Sequence, residues 1–91
     1  MADSFFAPRG DGGWLATSAT EGPWSPRLQH GGPPAALLVR ALQALPGPQP
    51  GRLARVTLEF LGPVPVGAVD VAAAVERDGR SVQLLSGELS A

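Results

Sequence analysis

Apolar side chains fill most of residues 35–45, where the only polar positions are Arg40 and Gln43. Because these two residues lie three apart, they mark one narrow polar stripe on an otherwise apolar helix. Two prolines stand directly before this stretch, where they suit the first helical turn, and a Pro/Gly-rich segment follows it and ends the helix. The pattern therefore predicts a helix over about 33–45 that the rest of the fold surrounds.

After residue 51 the apolar positions recur every second residue, which is typical of strands. Earlier in the chain, a Trp-containing stretch that follows an Asp-Gly-Gly turn signal has the same pattern. Asp78-Gly79 indicates a hairpin, because both residue types tolerate positive φ. The predicted strands cover about 13–18, 54–61, 68–76 and 81–90.

One helix and four strands predict an α+β fold, in which an antiparallel sheet wraps around one central apolar helix. We expect residues 1–91 to form a single domain, since a chain of this length fits one domain at most. Four strands make a narrow sheet for so apolar a helix, and no further strand is left to cover an edge. The sequence therefore predicts either a homo-oligomer that pairs through sheet edges or an incomplete part of a larger fold.

Composition removes several classes of function. The net charge of −1 and the seven scattered arginines argue against a nucleic-acid or anionic-membrane surface, since both need clustered positive charge. With no cysteine and one histidine, we expect neither a metal site nor a cofactor. The first residues do not resemble a signal peptide, and no apolar run approaches the ~18 residues of a membrane span. We expect a soluble cytoplasmic protein.

Several short motifs occur in a recognisable order after an aromatic residue, Trp14, in the first predicted strand. They are Gly22-Pro23-Trp24, Gln29–Pro34, the Pro-Val-Pro stretch within 59–67, and Arg77–Ser81. In this order they resemble the acyl-CoA thioesterase-like family of the hotdog fold, in which a curved sheet wraps a central helix. The resemblance covers nearly the whole chain and implies acyl-CoA as the substrate. Since such proteins are often double hotdogs, it also implies a partial hotdog, the N-terminal half of a larger thioesterase.

Thioester hydrolysis needs hydrogen-bond donors aimed at the thioester oxygen and a group that activates water. Gly31 and Gly32 are candidate catalytic residues, because free N–H groups and the positive end of the helix dipole meet at a helix start. The alternative is that the two glycines only let the chain turn tightly into the helix. His30 is a candidate base or substrate-orienting group, and its alternative role is to hydrogen-bond a neighbouring loop.

Three further residues are candidates for substrate binding. Gln29 can donate a hydrogen bond to substrate or water, and Trp24 can line an acyl channel. Arg80 can bind a CoA phosphate as a bidentate donor. The alternatives are that Trp24 simply packs against the fold and that Arg80 is an exposed charge at a hairpin end.

No acidic residue stands in the predicted helix over 33–45, although many hotdog thioesterases carry a catalytic carboxylate on or near it. Strand alternation puts Glu59 and Asp70 on solvated faces, so neither is a candidate general base. The sequence therefore predicts an acyl-CoA thioester hydrolase whose water-activating carboxylate lies in a missing second half or a partner subunit. The alternative is a non-catalytic hotdog module that binds acyl-CoA or serves in assembly.

Overall fold

The computed structural model describes residues 4–45, 53–79 and 82–91. The described part of the chain forms four strands, one short 3₁₀ turn and one α-helix. In chain order these are β1 (Phe6–Pro8), β2 (Trp14–Ala16), the 3₁₀ turn (Ser18–Thr20), α1 (Gly32–Gln43), β3 (Ala68–Asp78) and β4 (Gln83–Ser90).

The four strands form one antiparallel sheet in the order β1-β2-β3-β4, and α1 packs on β3 and β4. One face of the helix meets the sheet, where Leu37 is 5% exposed, while Arg40 on the polar stripe is exposed. The arrangement is an antiparallel sheet with one apolar helix, and it confirms the predicted hotdog-like α+β fold.

The helix begins one residue before the predicted start and ends two residues before the predicted end, at Gln43. Its N-cap is Gly31, and the two prolines of the first turn are buried. Proline is tolerated there because the first-turn N–H groups have no partner inside the helix. At the other end the Ala44 N–H donates to the carbonyl of Arg40 and closes the last turn.

Strands β3 and β4 form the longest pairing in the sheet, from Asp70 opposite Ser90 to Asp78 opposite Gln83, with one irregularity between Val75 and Arg77. The helix lies over the middle of this pair. A methyl group at Gly87 would lie 3.4 Å from Cδ2 of Leu38 and 3.4 Å from Cδ2 of Leu42. Because side chains alternate along a strand, Leu85 and Leu89 share this helix-facing side with Gly87.

Strand β1 is absent from the predicted set. It pairs with β2 through a tight connection in which Gly12 has φ of +92°. Arg9 donates to Asp11 at 3.0 Å and to Asp70 of β3 at 2.6 Å, so the connection is tied to the neighbouring strand. Two hydrogen bonds to the Asp11 carboxylate lower its pKa. The bond from the Gly13 N–H has the larger effect, and the bond from Arg9 has the smaller one.

The predicted strand over 54–61 is wrong. Residues 53–64 have no regular secondary structure, and every side chain from Leu53 to Leu61 is exposed. Alternating side chains fit a segment to a sheet, but a strand also needs a neighbour for its backbone N–H and C=O groups. Neither β1 nor β4 pairs with this segment in the described part of the chain, so the pattern alone does not produce a strand.

Candidate functional site

The start of α1 presents two backbone donors on the protein surface. Gly31 and Gly32 are exposed, and within the described residues neither of their N–H groups donates a hydrogen bond. The next two positions are prolines and have no N–H, while the Ala35 N–H donates to the Gly31 carbonyl at 3.3 Å. The free donors of the helix start are therefore concentrated at the two glycines, at the positive end of the helix dipole.

The two glycines are not required by the backbone conformation. Gly31 has φ of −71° and ψ of −23°, which any residue adopts, and Gly32 does not have positive φ either. What the missing side chains provide is space. A methyl group at Gly31 would lie 3.5 Å from Cζ of Phe60, and one at Gly32 would lie 3.2 Å from Cε1 of His30.

A short pairing between two loops holds the residues before the helix in place. The Gln29 N–H donates to the Val64 carbonyl and the Val66 N–H donates to the Arg27 carbonyl, both at 2.7 Å. Pro65 forms the isolated bridge between them with Leu28. A proline fits at this position because the neighbouring valines supply the hydrogen-bonding groups. The Pro-Val-Pro motif therefore fixes the helix start.

His30 lies directly beside the two glycines. Its backbone N–H donates to the Thr20 carbonyl at 3.0 Å, and its half-buried ring meets the ring of Phe5 edge to face, with centroids 6.3 Å apart. Within the described residues the imidazole itself makes no hydrogen bond. The loop contact proposed as its alternative role is thus made by the backbone, and the imidazole nitrogens stay available.

Gln29 is 6% exposed, and its side-chain amide donates to the Pro65 carbonyl at 2.8 Å. Its Oε1 atom is buried and has no hydrogen-bond partner among the described residues. The opposite orientation of the amide would place Oε1 next to the Pro65 carbonyl oxygen, where neither atom can donate a hydrogen bond. The orientation with Nε2 toward Pro65 is therefore the favourable one. The donor that the sequence offers to a substrate is therefore engaged, and the free group is an acceptor.

Exposed aromatic rings gather around the helix start. Phe5 is 45% exposed, Phe60 is 55% exposed and Trp24 is 77% exposed. Phe5 contacts His30 and Phe60 approaches Gly31, as described above. Trp24 lies against Gly22, where a methyl group would be 3.2 Å from the indole ring and 3.1 Å from the backbone nitrogen of His30. The start of α1 thus combines free polar donors with exposed apolar surface.

Sequence reasoning missed Phe5 and Phe60 as site residues. Phe60 lies within the predicted strand over 54–61, and Phe5 lies in the N-terminal region, where no element is predicted. Both come to the helix start only through tertiary contacts. Trp14, by contrast, lies under the guanidinium of Arg40, with Cζ 4.9 Å from the ring centroid, and so joins the sheet to the helix.

Within the described residues no acidic side chain hydrogen-bonds to His30, Gly31 or Gly32. Helix α1 contains no Asp or Glu, Glu59 is exposed, and Asp70 is engaged by Arg9. Glu21 pairs through its backbone with Gln29, and its side chain is exposed in the loop that carries Trp24. Arg80, the predicted phosphate ligand, lies outside the described residues.

Among the described residues, no group of three or more His, Asp or Glu side chains is arranged to hold a metal ion. Of the helices in the described ranges, none combines the length and the apolar character needed to cross a membrane.

A comparison with known protein families gives a match over most of the chain. The family model described as the acyl-CoA thioesterase N-terminal domain matches residues 20–91, which include the helix start, α1, β3 and β4. Neither the search of curated proteins nor the search of solved structures found a match.

Proposed function

Because the chain belongs to the family of acyl-CoA thioesterase N-terminal domains, we propose that it binds acyl-CoA at the start of α1 and takes part in hydrolysis of the thioester. The observation that carries the proposal is the pair of free, exposed N–H groups at Gly31 and Gly32. Their position at the positive end of a helix suits the negative charge that a thioester oxygen acquires during hydrolysis.

The proposed reaction is the addition of water to the thioester carbonyl. The carbonyl oxygen becomes an oxyanion that accepts hydrogen bonds from Gly31 and Gly32. The attacking water gives one proton to the carboxylate that activates it. The C–S bond then breaks, the carboxylic acid leaves with the oxygen of water, and the released thiolate takes up the proton from that carboxylate. His30 contacts the substrate beside the oxyanion donors and orients it for attack. Its free imidazole nitrogens support this role.

The exposed aromatic rings support binding of the acyl group. Phe5, Trp24 and Phe60 surround the helix start with apolar surface, which stabilises an acyl chain through burial. In this proposal Gln29 acts on the substrate only indirectly, because its amide donates to the Pro65 carbonyl and its Oε1 atom is buried, so that it holds the residues before α1 in place. Arg80 keeps its predicted role at a CoA phosphate.

The group that activates water is assigned outside α1. Since that helix has no acid, we assign the carboxylate to a second hotdog half or to a partner subunit. A homo-oligomer and a cytoplasmic location remain part of the proposal. Sedimentation and cell fractionation test them independently of the chemistry.

Two variants of Gly32 distinguish the loss of its N–H donor from the loss of space beside His30. Gly32→Ala and Gly32→Pro both add a Cβ next to His30, but only proline removes the N–H, and proline is favoured at the first helical position. We expect the kcat for thiol release from acyl-CoA to be about 10²–10³ lower in Gly32→Pro than in Gly32→Ala. The measurement is release of free thiol with acyl-CoAs of several chain lengths.

Gly62→Ala is the matched control, because nothing lies within 4 Å of a methyl group there, and we expect the parent rate. Circular dichroism and thermal melting establish that each variant folds. Equal kcat values for Gly32→Ala and Gly32→Pro would contradict the oxyanion role.

The missing acid on α1 favours a second candidate, a hotdog module that binds acyl-CoA or serves in assembly without hydrolysing it. Calorimetric titration with acyl-CoA distinguishes the two. A folded chain that binds acyl-CoA and releases no thiol would rule out the hydrolase for this polypeptide and leave the binding module. A chain that releases thiol would rule out the non-catalytic module.

A further inference from the structure

Thr20 is fully buried at the end of the 3₁₀ turn, and the only other buried polar residue within the described ranges is Gln29. Burying a hydroxyl costs free energy unless it is hydrogen-bonded. The Thr20 hydroxyl donates to the Thr17 carbonyl at 2.8 Å, and the Thr20 N–H donates to the same carbonyl at 3.0 Å. Two hydrogen bonds to one acceptor therefore fix Thr20 in the turn.

The carbonyl of Thr20 is the acceptor that places the backbone of His30. The His30 N–H donates to it at 3.0 Å, and the pairing continues at the Gly22 N–H, which donates to the Leu28 carbonyl at 2.8 Å. The backbone of His30 is therefore held by the 3₁₀ turn, which precedes it by a whole loop. Because His30 lies directly before the start of α1, the turn also sets where the imidazole stands beside the free donors of the helix.

Thr17, at the other end of the turn, holds the second ring of the aromatic contact. Its N–H donates to the Phe5 carbonyl at 2.8 Å. Its hydroxyl lies 2.6 Å from the Ser4 carbonyl and 3.1 Å from the Phe5 carbonyl. The ring of Phe5 in turn meets the ring of His30 with an angle of 83° between their planes. Phe5 and His30 are thus joined twice, through their rings and through backbone hydrogen bonds to the turn.

We propose that Thr17 and Thr20 are positioning residues, which hold the His30 imidazole against Phe5 in the orientation that a substrate at the start of α1 requires. Both threonines act through His30, without touching the substrate. The placement matters because a misplacement of about 1 Å can lower a reaction rate ~10²-fold. This inference rests on the role of His30 in the proposed function, whereas the placement of the ring is measurable without substrate.

The single histidine of the chain makes this placement measurable by NMR. The Cε1–H signal of His30 contains a ring-current contribution from Phe5, and Phe5→Leu gives the position of the signal without that ring. Thr20→Val keeps the shape of the side chain and removes the hydroxyl, and we expect it to shift the signal towards the Phe5→Leu position. Thr20→Ser keeps the hydroxyl, so we expect the parent position. Signals are compared at the high-pH plateau of the titration, where protonation contributes nothing.

Thr17→Val is a second, independent variant, because Thr17 is only half-buried. It removes two hydrogen bonds to residues 4 and 5, and we expect a shift in the same direction. Ser18→Ala is the matched control, since it removes an exposed hydroxyl of the same turn that makes no hydrogen bond among the described residues. We expect the parent signal there.

A parent signal in folded Thr20→Val would overturn the proposal. Should Thr20→Val fail to fold, a parent signal in Thr17→Val would overturn it equally. An equal shift in Ser18→Ala and Thr17→Val would also contradict specific positioning.

Release of thiol from acyl-CoA relates the placement of His30 to the reaction. We expect kcat to be about tenfold or more lower in Thr20→Val than in Thr20→Ser, with KM changed by less than about twofold, because orientation is lost rather than binding. Equal kcat values together with a shifted His30 signal would overturn the proposal. A parent chain that releases no thiol would overturn the proposed function, and the His30 signal would then decide the placement by itself.

Discussion

Strand β3 and the segment 53–61 carry the same alternating pattern of apolar and polar residues, yet only β3 is a strand. β3 has β2 on one side and β4 on the other, and it buries Val69 completely. The segment 53–61 has no neighbouring strand in the described part of the chain, and all of its residues are exposed. The difference shows that alternating apolar and polar side chains make a segment suitable for a sheet. Whether a strand forms depends on hydrogen bonds between its backbone and a neighbouring strand.

The segment 53–61 nevertheless contributes to the candidate site. It leads into the loop pairing that fixes the helix start, and it brings the Phe60 ring next to Gly31. β3 therefore contributes mainly to stability, and the segment 53–61 contributes to the surface of the candidate site. Three pairs of substitutions test this contrast.

The largest expected effect is on stability. Val69→Ala and Val56→Ala delete the same two methyl groups, at 0% and 39% exposure respectively. We expect Val69→Ala to lower the free energy of unfolding by about 2 kcal/mol because it leaves a cavity. Val56→Ala should change it by less than about 0.5 kcal/mol. Urea denaturation followed by circular dichroism measures both, and similar losses would show that the segment packs as tightly as β3.

A smaller effect is expected at the boundary between the segment and the site. Phe60→Ala removes an exposed ring, so we expect the melting temperature to change little. It also removes apolar surface beside Gly31, and we expect the dissociation constant for a long-chain acyl-CoA to rise about tenfold, equivalent to ~1.4 kcal/mol. Titration calorimetry measures the change. Leu61→Ala, which deletes a side chain that is 94% exposed in the same segment, is the control, and an equal rise in both variants would contradict a specific role for Phe60.

The smallest expected effect concerns the connection between β1 and β2, which Arg9 joins to Asp70 of β3. Hydrogen bonds from Gly13 and then Arg9 keep the pKa of Asp11 below its ordinary value of 3.8. A carboxylate with a lowered pKa stabilises the fold above that ordinary value, and the contribution is lost as the pH falls through the lowered pKa. We expect the melting temperature of the parent to decline below about pH 4 more steeply than that of Asp11→Asn.

Melting curves between pH 2.5 and pH 6 check this prediction, and Glu59→Gln is the matched control. It removes an exposed carboxylate from the segment 53–61, so we expect its pH dependence to follow that of the parent. Parallel curves for Asp11→Asn and the parent would contradict a stabilising role for Asp11.

The sequence by itself determined the features that depend on local pattern and local chemistry. The apolar run with two leading prolines located α1 to within two residues at either end, because helix period and proline placement are properties of consecutive residues. Period-2 alternation located β3 and β4, and their length made a mutual pairing possible. The same local reasoning located the two glycines at the helix start as candidate oxyanion donors.

Only the tertiary structure decided the features that depend on which segments meet. It left 53–61 unpaired and formed β1 from Phe6–Pro8, since a strand exists only where another strand completes its hydrogen bonds. It gathered Phe5, Trp24 and Phe60 around the start of α1 from three separate parts of the chain. It also committed the Gln29 amide to Pro65 and buried its Oε1 atom, so that a residue expected to donate to a substrate instead holds the helix start in place. Such contacts join distant residues, and no local period encodes them.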